Sequence, residues 1–310
     1  MISLWVWFKA TQPHSFVASM VGVFLGTAIA YARTAAFDTP AFLLTLAGVV
    51  LLQAATNMSN DTVDYLRGVD DLPPQLVSPF TGGARVLPEK ELTVPAHRRG
   101  WIGLYALGGI IGVALAATRP NGWLLLVLGL VGGALAVFYT LPPFSLQYHG
   151  LGDVTVGIIF GPIVALGAYA AQAGSLSLEA LLASVPLGIL VAAFLFVNEM
   201  PEHETDPRGG KRTIPARIGL ERSYRVYVAL VGSAVVLLVA FVAAGQLPWP
   251  ALLGLACVPH LLKSERVLRA YFREYPRHIP ANAGTIQAVL FLGAGLTIAY
   301  LLIRAVPGLG

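Results

Sequence analysis

Eight stretches of this chain run without a single Asp, Glu, Lys or Arg: residues 10–32, 39–60, 100–118, 120–152, 154–178, 180–198, 226–262 and 278–303. A helix needs about 20 predominantly apolar residues to cross a bilayer. Most of these stretches meet that length, and 226–262 is long enough for two crossings around Gly245-Gln246-Leu247-Pro248. The expectation is an all-α polytopic membrane protein, with nine transmembrane helices in one bundle around a central cavity that opens to the cytoplasmic side. The helix near 248–262 is the weakest of the nine, because Pro248, Pro250 and Pro259 interrupt it and His260 is polar. With 56% hydrophobic and 12% charged residues the chain lies outside the soluble range. The stretches also lack the short alternation of a barrel strand.

Basic residues suggest an orientation. With a cytoplasmic N-terminus and nine alternating helices, seventeen of the twenty Lys and Arg residues fall on the cytoplasmic side, and only Arg33, Arg119 and Arg304 outside. The expected location is therefore a cell (inner) membrane. The net charge of +4 then reflects this asymmetry and anionic lipid. No basic run interleaved with aromatics points to nucleic acid. The N-terminal segment, with Trp5 and Trp7, lacks the basic start and cleavage site of a signal peptide and reads as an interfacial anchor. Cys257 is the single cysteine, so no intramolecular disulfide is available.

Polar residues concentrate where two of the apolar stretches end. In the first cluster Asn57, Asp61 and Asp64 fall within about 60° of one another on a helix, so they converge on one face. Asp70 and Asp71 could extend this acidic rim. The second cluster, Asn198, Glu202 and Asp206, steps by four, although Pro201 disturbs the helix between the first two. Glu199, His203 and Glu204 are alternatives there, as ligands or as solvated groups. The Asn and the first acid recur at an offset of 141 residues, which suggests two related halves, about 1–150 and 151–310, of a single domain over 1–310.

Carboxylates this close to hydrocarbon are costly, and a duplicated set points to a site. Carboxylate and amide oxygens suit a hard cation such as Mg²⁺, which takes one or two carboxylates and completes its shell with water and phosphate oxygens. Each cluster leads into a Gly-rich basic segment, Gly82-Gly83-Ala84-Arg85 and Gly209-Gly210-Lys211-Arg212. Arg67, Arg85, Lys211 and Arg212 are therefore candidates for holding a diphosphate. Neither segment has P-loop spacing. Asp153 reads as a helix cap. Lys263 to Arg277 reads as a basic amphipathic loop at the lipid surface or part of a lid.

The pattern Asn57-x2-Asn60-Asp61-x2-Asp64-Tyr65-x-Arg67-Gly68-Val69-Asp70, with Asn198-x3-Glu202-x3-Asp206-x4-Lys211-Arg212-Thr213, resembles the UbiA superfamily of intramembrane prenyltransferases. Tyr139-Thr140-Leu141-Pro142-Pro143, Gly150-Leu151-Gly152-Asp153 and Thr81-Gly82-Gly83-Ala84-Arg85-Val86-Leu87 resemble its 1,4-dihydroxy-2-naphthoate, or menaquinone, branch. The family usually has Asp where Glu202 stands. The resemblance implies transfer of an isoprenyl group from an isoprenyl diphosphate to an aromatic small-molecule acceptor. Asp61, Asp64, Glu202 and Asp206 would hold Mg²⁺, and the reaction would pass through an allylic cation beside Tyr139. Asn57 and Asn198 would join the basic residues around the diphosphate. Hydroxybenzoate and glycerol-phosphate lipid acceptors are the alternatives within the class. A cation-coupled transporter is the alternative outside it.

Overall fold

The computed structural model describes residues 3–69, 76, 78, 80–306, 308 and 309, and Asp70 and Asp71 lie outside this set. Twelve α-helices account for most of it: α1 (Leu4–Ala10), α2 (Phe16–Thr34), α3 (Thr39–Leu66), α4 (Val94–Thr118), α5 (Trp123–Thr140), α6 (Gly152–Ile158), α7 (Val164–Ala173), α8 (Leu178–Glu199), α9 (Ile214–Ile218), α10 (Leu220–Ala243), α11 (Val258–Tyr271) and α12 (Ile279–Ala305). The described residues contain no strand beyond one isolated bridge between Ser78 and Thr81. Helix starts follow local chemistry. Asp38, Thr93, Ser177 and Thr213 accept from the backbone N–H three residues on, at the heads of α3, α4, α8 and α9.

Eight helical segments are long and apolar enough to span a membrane. The ninth expected crossing takes a different form. A 3₁₀ helix over Trp249–Cys257 runs directly into α11, whose later turns carry Lys263, Arg266 and Arg269. Pro250 and Pro259 each lie in the first turn of their helix, where a missing N–H costs nothing. The basic segment expected as a loop is therefore largely helical.

α8 is the most buried of the spans and forms the centre of the bundle. Its Leu187, Leu190, Ala193, Phe196 and Val197 are buried, packed with residues of α2, α10 and α12. The break between α6 and α7 is a π-helical turn, Ile159–Ile163, containing Pro162. This turn lies against α8 at close range. A Cβ on Gly188 would stand 3.2 Å from Gly161 Cα in the turn and 2.4 Å from the Gly157 carbonyl oxygen of α6, so the backbones can approach only without a side chain there.

Ion pairs tie the two ends of the bundle. At one end Arg33 forks onto Glu179 at 2.8 and 2.6 Å, and Arg119 meets Asp38 at 2.6 Å. At the other, Lys9 at the end of α1 reaches Glu89 and Glu91 at 2.7 and 2.9 Å. Of the two N-terminal tryptophans, Trp5 is exposed whereas Trp7 packs beside Gly100 of α4. Half of the expected anchor thus secures α1 to the bundle.

Candidate active site

Both polar clusters come to one cavity at the α1 end of the bundle. Its space, part of it open to solvent, is about 1080 Å³, lined by Asn57, Asp61 and Asp64 of the first cluster and by Asn198, Glu199 and Glu202 of the second. Tyr139, at the end of α5, and Lys211 also line it. The convergence expected for the first cluster holds, because α3 continues unbroken through Asp64 to Leu66. In the second cluster α8 stops at Glu199, and a 3₁₀ turn, Met200–Glu202, carries Glu202 into the cavity. Pro201 sits in that turn.

Asp61, Asp64, Glu202 and Asp206 are buried, and each is held by named donors. Asp61 accepts from Gln12 Nε2 at 2.8 Å and from the Ala84 N–H at 3.0 Å. Gly83 makes this approach possible: its φ is +64°, and an added Cβ would lie 2.4 Å from Asp61 Oδ1. Asp64 accepts from Tyr148 Oη at 2.5 Å and from Lys211 Nζ at 3.1 Å. Glu202 accepts from the Gly82 N–H at 2.9 Å. The Gly-rich segment after α3 therefore donates backbone N–H groups to both halves of the site. Asp206 is fully buried and does not line the cavity, accepting from Thr213 Oγ1 at 3.1 Å while its Oδ1 has no partner among the described residues.

Lys211 supplies positive charge to this acidic wall. Burial alone would release its proton, but the carboxylates of Asp64, Asp206 and Glu202 hold the ammonium well above its ordinary value. Burial pushes the Asp206 carboxyl up to about 6, against the pull of Lys211. The Tyr148 phenol is raised by burial and by Asp64 beside it. Lys211 is thus a buried, permanently charged donor within reach of the cavity.

The remaining candidates lie further out. The Arg67 guanidinium stacks 3.9 Å over the Tyr148 ring, behind the wall. Arg85 has φ +59° and its Nε lies 3.7 Å from Glu89. The Arg212 side chain is exposed, while its backbone N–H donates to the Tyr148 carbonyl at 3.1 Å. None of these three arginines lines the cavity. Asn57 donates to the Thr11 carbonyl and to Ser15 Oγ, both at 2.9 Å, and Asn198 Oδ1 accepts from Asn282 at 2.7 Å. Asp153 lies in the first turn of α6 rather than at its cap, buried, with Oδ1 unpartnered.

Several contributors carry no signal of their own in the sequence. Gln12, Tyr148 and Asn282 reach Asp61, Asp64 and Asn198 from 49, 84 and 84 residues away. Tyr148 could have been sought next to Gly150–Asp153, already marked by resemblance. Glu199 is buried with Oε2 unpartnered on the cavity wall, so it is not solvated.

The donor set suits a hard cation, being carboxylate and amide oxygens with two buried oxygens left unpaired. Among the described residues no three acids or imidazoles converge into a ready-made metal shell. That matches an ion taking one or two carboxylates and filling its shell with water and phosphate. Beyond the acids the cavity adjoins an apolar one of about 1010 Å³, and Gln53, Thr56, Tyr139, Val156 and Phe160 line both. One end offers buried charge, the other a hydrocarbon-lined extension. Buried charge beside an apolar space, set among membrane-length helices, is the arrangement of a membrane-embedded protein.

Comparison with known proteins gives the family. The model of the UbiA prenyltransferase family matches residues 19–277. The chain is 29% identical to the 2-carboxy-1,4-naphthoquinone phytyltransferase of Synechocystis sp., over 95% of this chain and 92% of that protein. It is 30% identical to the 1,4-dihydroxy-2-naphthoate octaprenyltransferase of Bacillus subtilis, over 95% and 91%. A UbiA homolog from Archaeoglobus fulgidus bound to GPP and Mg²⁺ shares the fold with a TM-score of 0.69 at 14% identity, covering 97% of this chain and all of that one. The apo UbiA homolog from Aeropyrum pernix superimposes with a TM-score of 0.68 at 21% identity, over 91% and 97%. The chain belongs to the UbiA prenyltransferase family. It is an enzyme, a prenyltransferase, and a multi-pass membrane protein; membership displaces the transporter reading.

Proposed function

We propose that this protein transfers an isoprenyl group from a polyprenyl diphosphate to an aromatic acceptor, a dihydroxynaphthoate, in menaquinone biosynthesis. The observation that carries the reading is the joined pair of cavities, acidic at one end and apolar at the other, with Tyr139 at the junction. Naphthoate-related activities named for two relatives support the acceptor, and a fold neighbour bound to GPP and Mg²⁺ supports the donor and the metal.

Asp61, Asp64, Glu202 and Asp206 are the groups that would hold Mg²⁺. When bound, the ion neutralises negative charge on the diphosphate and so eases its departure. Lys211 adds a fixed positive charge against that leaving group, and the backbone N–H groups of the Gly82–Ala84 segment keep the Asp61 and Glu202 carboxylates aimed inward. Tyr139 presents an aromatic face where the allylic carbon gains positive charge. The apolar walls beyond it exclude water, so the electron-rich ring of the acceptor captures the carbocation and then loses its proton. Arg67, Arg85 and Arg212 contribute as an outer basic rim.

In this reading residues 1–310 form one prenyltransferase domain with related halves near 1–150 and 151–310. The N-terminus and both acidic motifs face the cytoplasm of a cell with the protein in its inner membrane, as the basic bias supports. The test is prenyl transfer by purified protein in nanodiscs, offering isoprenyl diphosphates of several lengths with 1,4-dihydroxy-2-naphthoate, 4-hydroxybenzoate or a glycerol-phosphate acceptor, with and without Mg²⁺. A metal-dependent prenylated naphthoate is the expected product. Product with another acceptor alone would overturn the naphthoate assignment.

A further inference from the structure

A second, more open cavity of about 1790 Å³ lies on the far side of the 3₁₀ turn that bears Glu202. Its walls are that turn, the Asp206–Gly209 turn, the head of α10, and the corner between α11 and α12. None of the groups assigned to prenyl transfer opens into it. Its chemistry is basic. Arg222 and Arg225, three apart on one face of α10, line it together with Arg208 of the Asp206–Gly209 turn. Among the described residues no carboxylate pairs with any of these three guanidinium groups, whereas Arg273 at the rim is paired with Glu221. Glu204 also lines the cavity, but its side chain is 79% exposed. Positive charge therefore exceeds negative around the space.

A second observation is independent of the arginines. His278, 1% exposed, lines the same cavity, and neither of its ring nitrogens has a hydrogen-bond partner among the described residues. A buried imidazole without partners is an exception to the usual pairing of buried polar groups, and an acceptor-rich ligand would resolve it. The backbone at the head of α10, Gly219 to Glu221, also forms part of the wall, where a helix dipole favours an anion.

We propose that this cavity binds a phosphate-bearing anion, either free inorganic diphosphate or the headgroup of an anionic phospholipid, at a site separate from the catalytic one. Planar guanidinium groups match phosphate oxygens in pairs. The site is also mechanically joined to the catalytic cavity. Tyr275, in its wall, lies with Oη 3.2 Å from Thr81 Oγ1, and the next residue, Gly82, donates to Glu202. An anion held here therefore rests against the support of one proposed metal ligand.

The experiment uses the full chain in two kinds of nanodisc without divalent cations. Neutral phosphatidylcholine discs are titrated with inorganic diphosphate by calorimetry. Discs containing phosphatidylglycerol are analysed for retained lipid by native mass spectrometry. The expected result is binding in at least one arm, weakened about tenfold or more in Arg222→Gln/Arg225→Gln. It should be partly retained in Arg222→Lys/Arg225→Lys, which keeps the charge but loses the paired donors, and should survive in Lys211→Gln. Diphosphate binding in neutral discs identifies the free anion, and binding confined to phosphatidylglycerol identifies the headgroup. No binding in either arm by the unaltered protein overturns the proposal, as does full affinity in the glutamine variant. Loss of binding in Lys211→Gln overturns it too, by assigning the anion to the catalytic cavity, where that ammonium is the cation. Should the glutamine pair not insert, Arg208→Gln on the exposed turn replaces it.

Discussion

Asp61 and Asp64 have donors already in place, and this sets what single substitutions do. Asp61→Ala strands the Gln12 amide and the Ala84 N–H, and Asp64→Ala strands the buried ammonium of Lys211. Either change should lower prenyl transfer by at least about a hundredfold while the protein still inserts, measured by turnover and by gel filtration of the same samples. A pH effect arises at His278 instead. Burial lowers its pKa from 6.5 to about 4, so the folded imidazole stays neutral where the unfolded chain takes up a proton. The unfolded state thus binds more protons between these values, and stability falls as pH drops from 6.5 towards 4. The thermal midpoint of His278→Phe in nanodiscs should decline less over that range than the parent's; equal slopes would remove the assignment.

At the level of elements, packing of α8 against α6 and the π-helical turn is a direct test of the bundle. Gly188→Leu forces a side chain into the Gly157 carbonyl and should cost about 1–3 kcal/mol, read as a lower thermal midpoint. The helices themselves were largely legible in the sequence, because uncharged length and N-terminal Asp, Ser and Thr caps are local signals. Face-sharing by Asn57, Asp61 and Asp64 was legible for the same reason. What escaped was non-local. Gln12 and Tyr148 look ordinary until the fold carries them to Asp61 and Asp64. The segment at 249–271 escaped for a mixed reason: its prolines were visible, but 3₁₀ geometry followed by a basic α-helix depends on packing against α12.

For the whole molecule, the charge asymmetry and the two joined cavities make separate predictions. Single cysteines at Glu91 and Arg119 should be labelled by an impermeant maleimide from opposite sides of sealed vesicles; labelling from the same side would contradict the proposed orientation. Cys257 gives little background, being 1% exposed. The apolar cavity should set the length of the prenyl donor. A Cβ on Gly129, in its wall, would meet no atom within 4 Å, so a larger side chain there projects into free space. Gly129→Phe should shift preference to shorter diphosphates by about tenfold in kcat/KM, compared across a donor series.

The Lys211–Asp64 contact spans 147 residues, which has a meaning in time as well as in space. At a synthesis rate of about 5–20 residues per second, α3 waits on the order of ten seconds for its ammonium partner to be made. Throughout that interval its acids have no counter-charge from the second half of the chain. Their position at a helix end, in reach of water, lets the growing chain insert α3 first and assemble the catalytic chamber last.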